Sequence, residues 1–579
     1  MTLDEQIRDH LTFIYGAETA AAVFAQLQAR LADFRRQYPE LGQPVPPGER
    51  VTEADAMLIT YGDQVQEPGK PTLQTLAEVL ETYLKGIVSS VHILPFYPYT
   101  SDDGFSVMDY KAVDPALGSW PDVALLHQNF RLMFDAVINH ISAQSAWFQG
   151  FLRGDPDYTD YFITESPTTD LSGVTRPRTL PLLTSVKTPA GIQYVWTTFS
   201  ADQIDLNYKN PAVLLKIIDV LLFYVTQGAE FIRLDAIAYL WKEVGTTCIH
   251  LPQTHRVVQL FRAILDAVAP NVMLITETNV PHAENVSYFG NGRNEAQMVY
   301  QFPLAPLILH TFHTGNAEAL QAWAAGLEKL PETATFFNFI ASHDGIGVRP
   351  AEGILSRDEI QALLDKTVAH GGQVSYKTNP DGSQSAYELN ITFFDALSDP
   401  NSGEDETLKI DRFMASQAIM LALAGVPGIY VHSLVGSSNN SAGLAQTGRA
   451  RTLNRQKWQR AELEAALTNP ASRASRIFRR YARLLQVRAG QRAFHPKSEQ
   501  HFIGGNPALF CLRRTAPDGQ SQVLCLHNIS AQPQSFAAKT AELSSEGDLR
   551  DLLSGEVVAT EGQTLRVSLG PYEVKWLAS

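Results

Sequence analysis

The feature of this sequence that most constrains its fold is an alternation of short apolar segments with stretches of helical periodicity. A run of about four to eight apolar residues bounded by turn residues fits a buried strand. Helical patterns, as at 212–226 and 254–267, separate several of these runs. Such runs lie at 56–61, 91–94, 131–138, 230–235, 272–277, 297–302, 335–342 and 428–432. Eight buried strands separated by helices predict a parallel α/β fold, and a (β/α)8 TIM barrel fits a chain of 579 residues best.

Changes in pattern along the chain predict further units. The connections after the third and the seventh strand are too long for ordinary loops. Short runs separated by turns follow residue 500. The expected units are an N-terminal helical extension (1–50), a barrel (51–140 and 201–500) with an inserted subdomain (141–200) and an insertion after strand seven (345–410), and a C-terminal antiparallel β domain (501–579).

Composition argues against several classes of function. The formal net charge of -15 argues against general nucleic-acid binding, and no apolar run approaches the length of a membrane span. The N-terminus lacks a basic segment followed by an apolar one, so no secretory signal is expected. Cys248, Cys511 and Cys525 are scattered, which argues against a disulfide framework or a zinc site and fits a reducing cytoplasm. No metal or organic cofactor is indicated, and the oligomeric state stays open, with a homodimer as one alternative.

Polar side chains lie where four of the predicted strands end. In a (β/α)8 barrel the carboxyl ends of the strands meet at one face, where active sites are built. We therefore expect these side chains to line one pocket. They are Asp135 with Asn139-His140 after strand three, Arg233-Leu234-Asp235 at strand four, Glu277 at strand five and His343-Asp344 at strand seven.

Three acids in one pocket favour glycoside chemistry. A retaining glycosidase needs a carboxylate nucleophile and an acid/base that protonates the leaving oxygen. Arg233 lies two residues from Asp235, on the same strand face, and we expect it to lower the pKa of Asp235 and keep this nucleophile ionised. Neighbouring negative charge is expected to raise the pKa of Glu277, as an acid/base requires. Asp344 is expected to bind sugar hydroxyls most strongly in the transition state.

Structural roles are the alternatives. A buried Arg–Asp pair at a strand end can be purely structural, and a single aspartate there is more often a helix cap than a catalyst. His140 taken alone indicates a structural residue, and Asn139 with Asp135 could bind a structural calcium ion. The joint occurrence of the four segments favours catalysis.

The four segments, in this order, resemble those of the α-amylase family of glycoside hydrolases and transglycosidases. The resemblance covers most of residues 55–500. It implies an α-retaining mechanism with Asp235 as nucleophile, Glu277 as acid/base and Asp344 as transition-state stabiliser. It also implies a B subdomain after strand three and a C-terminal β domain, at the changes of pattern noted above.

Further segments resemble the sucrose phosphorylase branch of that family. They are Val91–Phe96, Leu117–Trp120, Arg176–Arg178, His343–Val348 and Arg451–Arg455. This resemblance implies an enzyme that transfers a glucosyl group to inorganic phosphate. It also implies a glucose subsite shaped by Asp102, Phe105, His140, Arg233 and Arg451, with Arg178 on the phosphate or acceptor side and Tyr239 close by. His140 and His343 can hydrogen-bond sugar hydroxyls.

Two loops depart from the sucrose phosphorylase pattern. Glu277-Thr278-Asn279 stands where those enzymes have Glu-Val-His, and Gly371–Lys377 replaces the loop that gives them an acceptor-site glutamine. Both changes resemble the glucosylglycerate phosphorylases of the same branch, which implies that Asn279 and Lys377 belong to the acceptor subsite. A cation such as Lys377 could pair with the carboxylate of glycerate, which fructose lacks.

The resemblance therefore implies reversible phosphorolysis of 2-O-α-D-glucosyl-D-glycerate to α-D-glucose 1-phosphate and D-glycerate by double displacement. The alternatives within the branch are phosphorylases of sucrose, of sucrose 6'-phosphate or of glucosylglycerol. The alternatives outside the branch are a plain α-glucosidase and a non-catalytic sugar-binding relative. Silent relatives usually lose an acid, whereas Asp235, Glu277 and Asp344 are all present.

Overall fold

Eight parallel strands form a closed barrel at the centre of this computed structural model, which describes residues 1–379, 381–540 and 548–579. The strands are β1 (Met57–Thr60), β2 (Ser90–Ile93), β3 (Arg131–Ala136), β4 (Ala229–Leu234), β5 (Met273–Thr276), β6 (Met298–Tyr300), β7 (Thr335–Asn338) and β8 (Val426–Tyr430). Consecutive strands pair in parallel, and β8 closes the barrel by pairing with β1. The eight predicted strands and the (β/α)8 fold class are confirmed.

Burial on both faces explains why these strands have apolar runs instead of an alternating pattern. Every residue of β1 is 1% exposed or less, and β2 is buried throughout. The barrel interior covers one face of each strand and helices cover the other, as parallel sheets require.

Helices surround the barrel and its appendages. They are α1 (Leu3–Tyr15), α2 (Ala17–Gln37), α3 (Thr72–Tyr83), α4 (Trp120–His127), α5 (Ala146–Arg153), α6 (Pro211–Thr226), α7 (Pro252–Val268), α8 (His282–Val286), α9 (Leu304–Thr314), α10 (Glu318–Ala325), α11 (Arg357–Ala369), α12 (Phe393–Leu397), α13 (Glu406–Ala422), α14 (Ser441–Thr447), α15 (Arg460–Thr468) and α16 (Arg473–Ala489).

The helix α6 shows how local sequence sets these elements. Asn210 caps its start by accepting a hydrogen bond from the Ala212 N–H at 2.9 Å, and Pro211 fits the first turn because no donor is needed there. The helix ends before Gly228, which has a φ of +93°. A Cβ at this position would lie 2.7 Å from Nδ1 of His127, so glycine lets the chain turn directly into β4.

The long connections after β3 and β7 contain regular structure. Residues 141–200 hold α5 and a hairpin of Leu183–Thr188 with Gly191–Trp196. After β7, Ile346–Gly347, Gln384–Asn390 and Gln373–Thr378 form an antiparallel sheet in that order. This sheet, called the rim sheet below, brings side chains to the mouth of the barrel.

Two antiparallel sheets follow the barrel. The larger contains, in spatial order, Glu499–Phe502, Leu509–Thr515, Gln522–Asn528, Val574–Ala578, Leu549–Asp551 and Val557–Val558, and the smaller Gln534–Lys539, Thr564–Leu569 and Thr560–Glu561. The predicted C-terminal antiparallel structure is present, and residues 541–547 of that unit lie outside the described residues. Trp576 is fully buried and packs on Phe494 with ring centroids 4.6 Å apart, so one sheet shares the barrel's core.

The N-terminal segment contains two helices and packs on the outside of the barrel. Its helices α1 and α2 contact α7, and the Tyr15 hydroxyl donates to the Tyr208 carbonyl at 2.8 Å. None of the helices in the described part of the chain is long and apolar enough to cross a membrane.

Candidate active site

The carboxyl ends of β3, β4, β5 and β7 open into one pocket, as the barrel fold predicts. Side chains from these ends and from the loops above them form its wall. Of the residues singled out in the sequence, the wall contains Asp102, Phe105, His140, Arg178, Asp235, Tyr239, Glu277, Asn279, His343, Asp344 and Arg451. The three acids therefore share one cavity.

Arg233 is buried below the pocket and fixes two of the acids. Its Nη1 lies 2.5 Å from Asp135 Oδ1 and 2.7 Å from Asp235 Oδ1, and its Nη2 lies 3.7 Å from Glu277 Oε2. Asp135 is held in turn by His92, whose Nε2 is 2.6 Å from Oδ2. One guanidinium thus contacts both Asp235 and Glu277, so these two carboxyl groups face the same small volume.

The pKa of Asp235 is shifted in the direction opposite to the expectation. Burial raises the pKa of Asp235 above its ordinary value, Arg233 opposes this, and Asp135 adds to it. The predicted lowering is wrong in its net direction, because the cost of burying the carboxylate exceeds the attraction of the guanidinium. The ion pair still fixes the position of the carboxylate.

Glu277 has the properties of an acid/base. The pKa of Glu277 is raised to about 7, chiefly by burial and also by the charges of Asp235 and Asp344, although Arg233 and the Ala236 N–H act to lower it. The Ala236 N–H donates to Glu277 Oε2 at 3.1 Å, and Ala236 has a left-handed backbone with a φ of +47°. The predicted direction is confirmed, but burial is the main cause. A carboxyl group that titrates near neutral pH can both give and take a proton.

Asp344 is a permanent anion. Arg451 Nη1 lies 2.6 Å from Oδ1, His343 Nε2 lies 3.4 Å from Oδ2, and Arg455 Nη2 lies 3.7 Å from Oδ1. Burial alone would raise the pKa of Asp344, but Arg451, followed by His343 and Arg455, holds it well below its usual range. This carboxylate can accept hydrogen bonds from sugar hydroxyls at any physiological pH.

The loop after β2 builds one wall of the pocket. Asp102 and Asp103 both have left-handed backbones, with φ of 54° and 49°. Two residues on, the Phe105 ring stacks on His343 with centroids 4.9 Å apart. His140 Nε2 lies 2.9 Å from the Phe105 carbonyl oxygen, which joins this loop to the end of β3.

A lysine occupies the position considered for calcium. Lys242 Nζ lies 2.7 Å from Asn139 Oδ1 and 2.5 Å from Asp205 Oδ2 in a buried site. Asp135, the other candidate ligand, is bound by Arg233 and His92. The calcium alternative is therefore wrong, because side-chain cations already neutralise these carboxylates. No cluster of His, Cys, Asp and Glu suited to a metal occurs within residues 1–379, 381–540 and 548–579.

Comparisons with known proteins identify the family. Residues 62–347 match the family described as alpha amylase, catalytic domain. A glucosylglycerate phosphorylase of Allomeiothermus silvanus is 54% identical over 92% of this chain and 94% of its own length. The chain belongs to the α-amylase family. A glucosylglycerate phosphorylase of Escherichia coli K12 is 42% identical over 99% of this chain and 100% of its own length.

A solved structure supports the same family. The sucrose 6F-phosphate phosphorylase of Thermoanaerobacter thermosaccharolyticum matches with a TM-score of 0.72 and 25% identity, over 82% of this chain and 94% of that one. The predicted resemblance to the phosphorylases of the α-amylase family is confirmed, and this family member is an enzyme of the glycoside phosphorylase type.

Two of the three candidate acceptor residues, Arg178 and Asn279, line the pocket. Arg178 Nη2 lies 3.9 Å from Asp102 Oδ2, a long contact for an ion pair. Asn279 Oδ1 is buried and accepts no hydrogen bond from any described residue. Lys377 is half-buried and lies outside the pocket wall, because its strand, Gln373–Thr378, is at the outer edge of the rim sheet.

Sequence reasoning missed several residues of the pocket wall in this α-amylase family member. They include Phe199, Gln203, Tyr387 and Glu388. Glu388 is buried, and its Oε1 lies 2.7 Å from Arg451 Nη2. A glutamate inside a buried strand indicates a paired charge. Nothing in the sequence shows that the partner is Arg451.

Proposed function

We propose that this enzyme is a retaining α-glucoside phosphorylase that interconverts 2-O-α-D-glucosyl-D-glycerate and phosphate with α-D-glucose 1-phosphate and D-glycerate. The observation that carries the proposal is the 54% identity, over nearly the whole chain, to a glucosylglycerate phosphorylase. The presence of Asp235, Glu277 and Asp344 in one pocket supports catalysis instead of simple sugar binding.

In the first displacement, a carboxylate oxygen of Asp235 attacks the anomeric carbon, and the bond from that carbon to the glycerate oxygen breaks. Glu277, whose pKa is about 7, gives its proton to the departing oxygen. Asp344 accepts hydrogen bonds from sugar hydroxyls, and these bonds strengthen in the transition state. The products are free glycerate and a glucosyl ester of Asp235.

In the second displacement, a phosphate oxygen attacks the same carbon from the side that glycerate has left, Glu277, now a carboxylate, takes the proton from phosphate, and the ester bond to Asp235 breaks. Two inversions give the α configuration of glucose 1-phosphate. Phosphate needs cationic donors next to the reaction centre. Arg178 is the candidate, because it lines the pocket and has only a 3.9 Å contact to Asp102.

The proposed partners are inorganic phosphate, glucose 1-phosphate and a small anionic acceptor. We also propose a cytoplasmic reaction, since Cys248, Cys511 and Cys525 are buried free thiols, which fits a reducing compartment. A homodimer stays a prediction, and light scattering on the purified protein tests it.

The synthetic direction provides the test. Purified enzyme is incubated with α-D-glucose 1-phosphate and, separately, with D-glycerate, glycerol, fructose or fructose 6-phosphate, while phosphate release and products are followed. We expect release that depends strongly on D-glycerate and yields 2-O-α-D-glucosyl-D-glycerate. Release driven by fructose would instead identify a sucrose phosphorylase. Acceptor-independent release of glucose would identify a hydrolase.

A further inference from the structure

The cations next to the acids are already neutralised. Arg233 contacts Asp235 at 2.7 Å. Arg451 lies 2.6 Å from Asp344 and 2.7 Å from Glu388, so both of its terminal nitrogens contact carboxylates. An incoming anion would have to break these pairs to use either guanidinium. Recognition of an anionic acceptor therefore has to come from other cations.

Two cations in or next to the rim sheet, Arg349 and Lys377, form no ion pair with a carboxylate of the described residues. Within the described residues, neither Arg349 nor Lys377 has a carboxylate oxygen within ion-pair distance, and Arg349 Nε is buried without a hydrogen-bond partner. A buried guanidinium nitrogen without an acceptor is costly in a folded protein, and an anionic ligand that bound Arg349 would relieve that cost.

The rim sheet fixes the backbone of Arg349 against the pocket wall. Arg349 follows the edge strand Ile346–Gly347, and the neighbouring Val348 N–H donates to the carbonyl oxygen of Tyr387 at 3.1 Å. A Cβ on Gly347 would lie 2.5 Å from Asn279 Oδ1, so this strand packs directly against the side-chain amide of Asn279. Tyr387 and Asn279 both line the pocket, and the Asn279 oxygen lacks a partner in the described chain.

The charges that act on neighbouring residues support a position of Arg349 next to the pocket wall. Burial raises the pKa of Tyr239, a pocket-wall residue, to about 12, and Arg349 is the strongest of the charges that act on it. Burial, followed by the charge of Arg349, lowers the pKa of Lys377. The acids facing these two cations are Glu284, which lies 3.2 Å from Nε2 of His250, and Glu352. Neither forms an ion pair with Arg349 or Lys377.

We propose that Arg349 binds the carboxylate of the glucosyl acceptor through its planar guanidinium, with Lys377 as a second cation on the same side and the Asn279 amide as a neighbouring polar contact. This inference rests on the proposed function and assigns its acceptor class, which is short hydroxy acids. A guanidinium presents paired donors that match a carboxylate. Glycerol, which has a hydroxymethyl group in place of that carboxylate, gains nothing from the cation.

Glycerate and glycerol form a matched pair of acceptors for the test. With α-D-glucose 1-phosphate as donor, kcat/KM for each acceptor is measured in the wild type, Arg349→Gln and Arg349→Lys. We expect Arg349→Gln to reduce the value for glycerate about 10- to 100-fold, which corresponds to the loss of charge-assisted hydrogen bonds, and to leave that for glycerol nearly unchanged. Arg349→Lys should restore part of the glycerate activity, because it keeps the charge but not the paired donors.

Arg357→Gln is the control, since Arg357 is an exposed arginine at the start of α11, only eight positions further along the chain. It should behave as the wild type with both acceptors. Retained glycerol activity in Arg349→Gln shows that the pocket is folded. If the wild type prefers glycerate and Arg349→Gln keeps that preference, this inference is overturned while the proposed function stands. If the wild type has no preference for glycerate, both are overturned.

Discussion

Glu277 is the carboxyl group of the pocket for which we predict a titration near neutral pH. Burial raises its pKa to about 7, so the protonated form persists well above the usual range of a glutamate. Asp344, in the same pocket, stays ionised because Arg451 contacts it at 2.6 Å. Near neutral pH Glu277 is therefore partly protonated while Asp344 is ionised, and such a difference suits separate catalytic roles.

We predict an alkaline limb in the phosphorolysis of glucosylglycerate. As pH rises through about 7, Glu277 loses the proton that the departing glycerate oxygen needs, so kcat/KM should fall about tenfold per pH unit above that pKa. With glucose 1-phosphate as donor the limb should be shallower, because phosphate is a better leaving group. Initial rates of both reactions over a pH series measure this difference.

Glu277→Gln provides the control for that limb. It has nearly the same volume but no titrating proton, and it should lose about 10²- to 10⁴-fold activity on the glucoside. The residual activity should have no alkaline limb. A limb that persists in this variant would assign the titration to another group.

At the scale of elements, a buried ion pair attaches the loop after β4 to the segment that follows β3. Lys242 lies 2.5 Å from Asp205, which belongs to a strand, Gln203–Asp205, paired with His140–Ser142. His140 is part of the pocket wall. The lysine therefore fixes structure that leads directly to the active site.

We predict that Lys242→Met lowers the free energy of unfolding by about 3–5 kcal/mol, because Asp205 then keeps a buried charge without its cation. Lys209→Met is the control, since Lys209 pairs with Glu243 at 2.7 Å where both side chains are about half exposed, and it should cost less than about 1 kcal/mol. Urea unfolding of both variants makes the comparison. Equal midpoints would contradict the role given to Lys242.

The turn between α6 and β4 carries the second prediction at this scale. Gly228→Ala places a Cβ 2.7 Å from His127 Nδ1, in a backbone with φ of +93°. Gly245→Ala has a similar φ of +88° but nothing within 4 Å. Both substitutions lower the free energy of unfolding because they place a side chain on a left-handed backbone. The additional loss in Gly228→Ala, about 1–3 kcal/mol, therefore measures the clash with His127. Thermal unfolding that ranks the two variants equally would show that His127 moves aside.

At the scale of the whole molecule, patterns local in sequence predicted the barrel. Strands buried on both faces leave continuous apolar runs, and the acids at their ends follow from the geometry of a closed barrel. The sequence placed Asp235, Glu277 and Asp344 correctly in one pocket for that reason. Their roles, and the expected role of Arg178 in binding phosphate or the acceptor, stay predictions.

Contacts between distant segments could not be predicted in this way. Glu388 reaches Arg451 across 63 positions of sequence, and Lys242 reaches Asn139 across 103. The net pKa of Asp235 depends on how deeply it is buried, which a sequence pattern does not give. The position of Lys377 is a further example, because its charge alone did not show that the rim sheet places it outside the pocket wall; its acceptor role stays a prediction.

The central claim, that the whole molecule is a retaining glucosylglycerate phosphorylase, is tested most directly by its first products. Purified enzyme is given 2-O-α-D-glucosyl-D-glycerate and phosphate, and the anomeric protons are followed by NMR from the first minutes. We predict that glucose 1-phosphate and D-glycerate form in equal amounts. The glucose 1-phosphate should be the α anomer, since two displacements at one carbon retain configuration. A β anomer would contradict the double displacement at Asp235, and free glucose formed at the same rate without phosphate would contradict the phosphorylase.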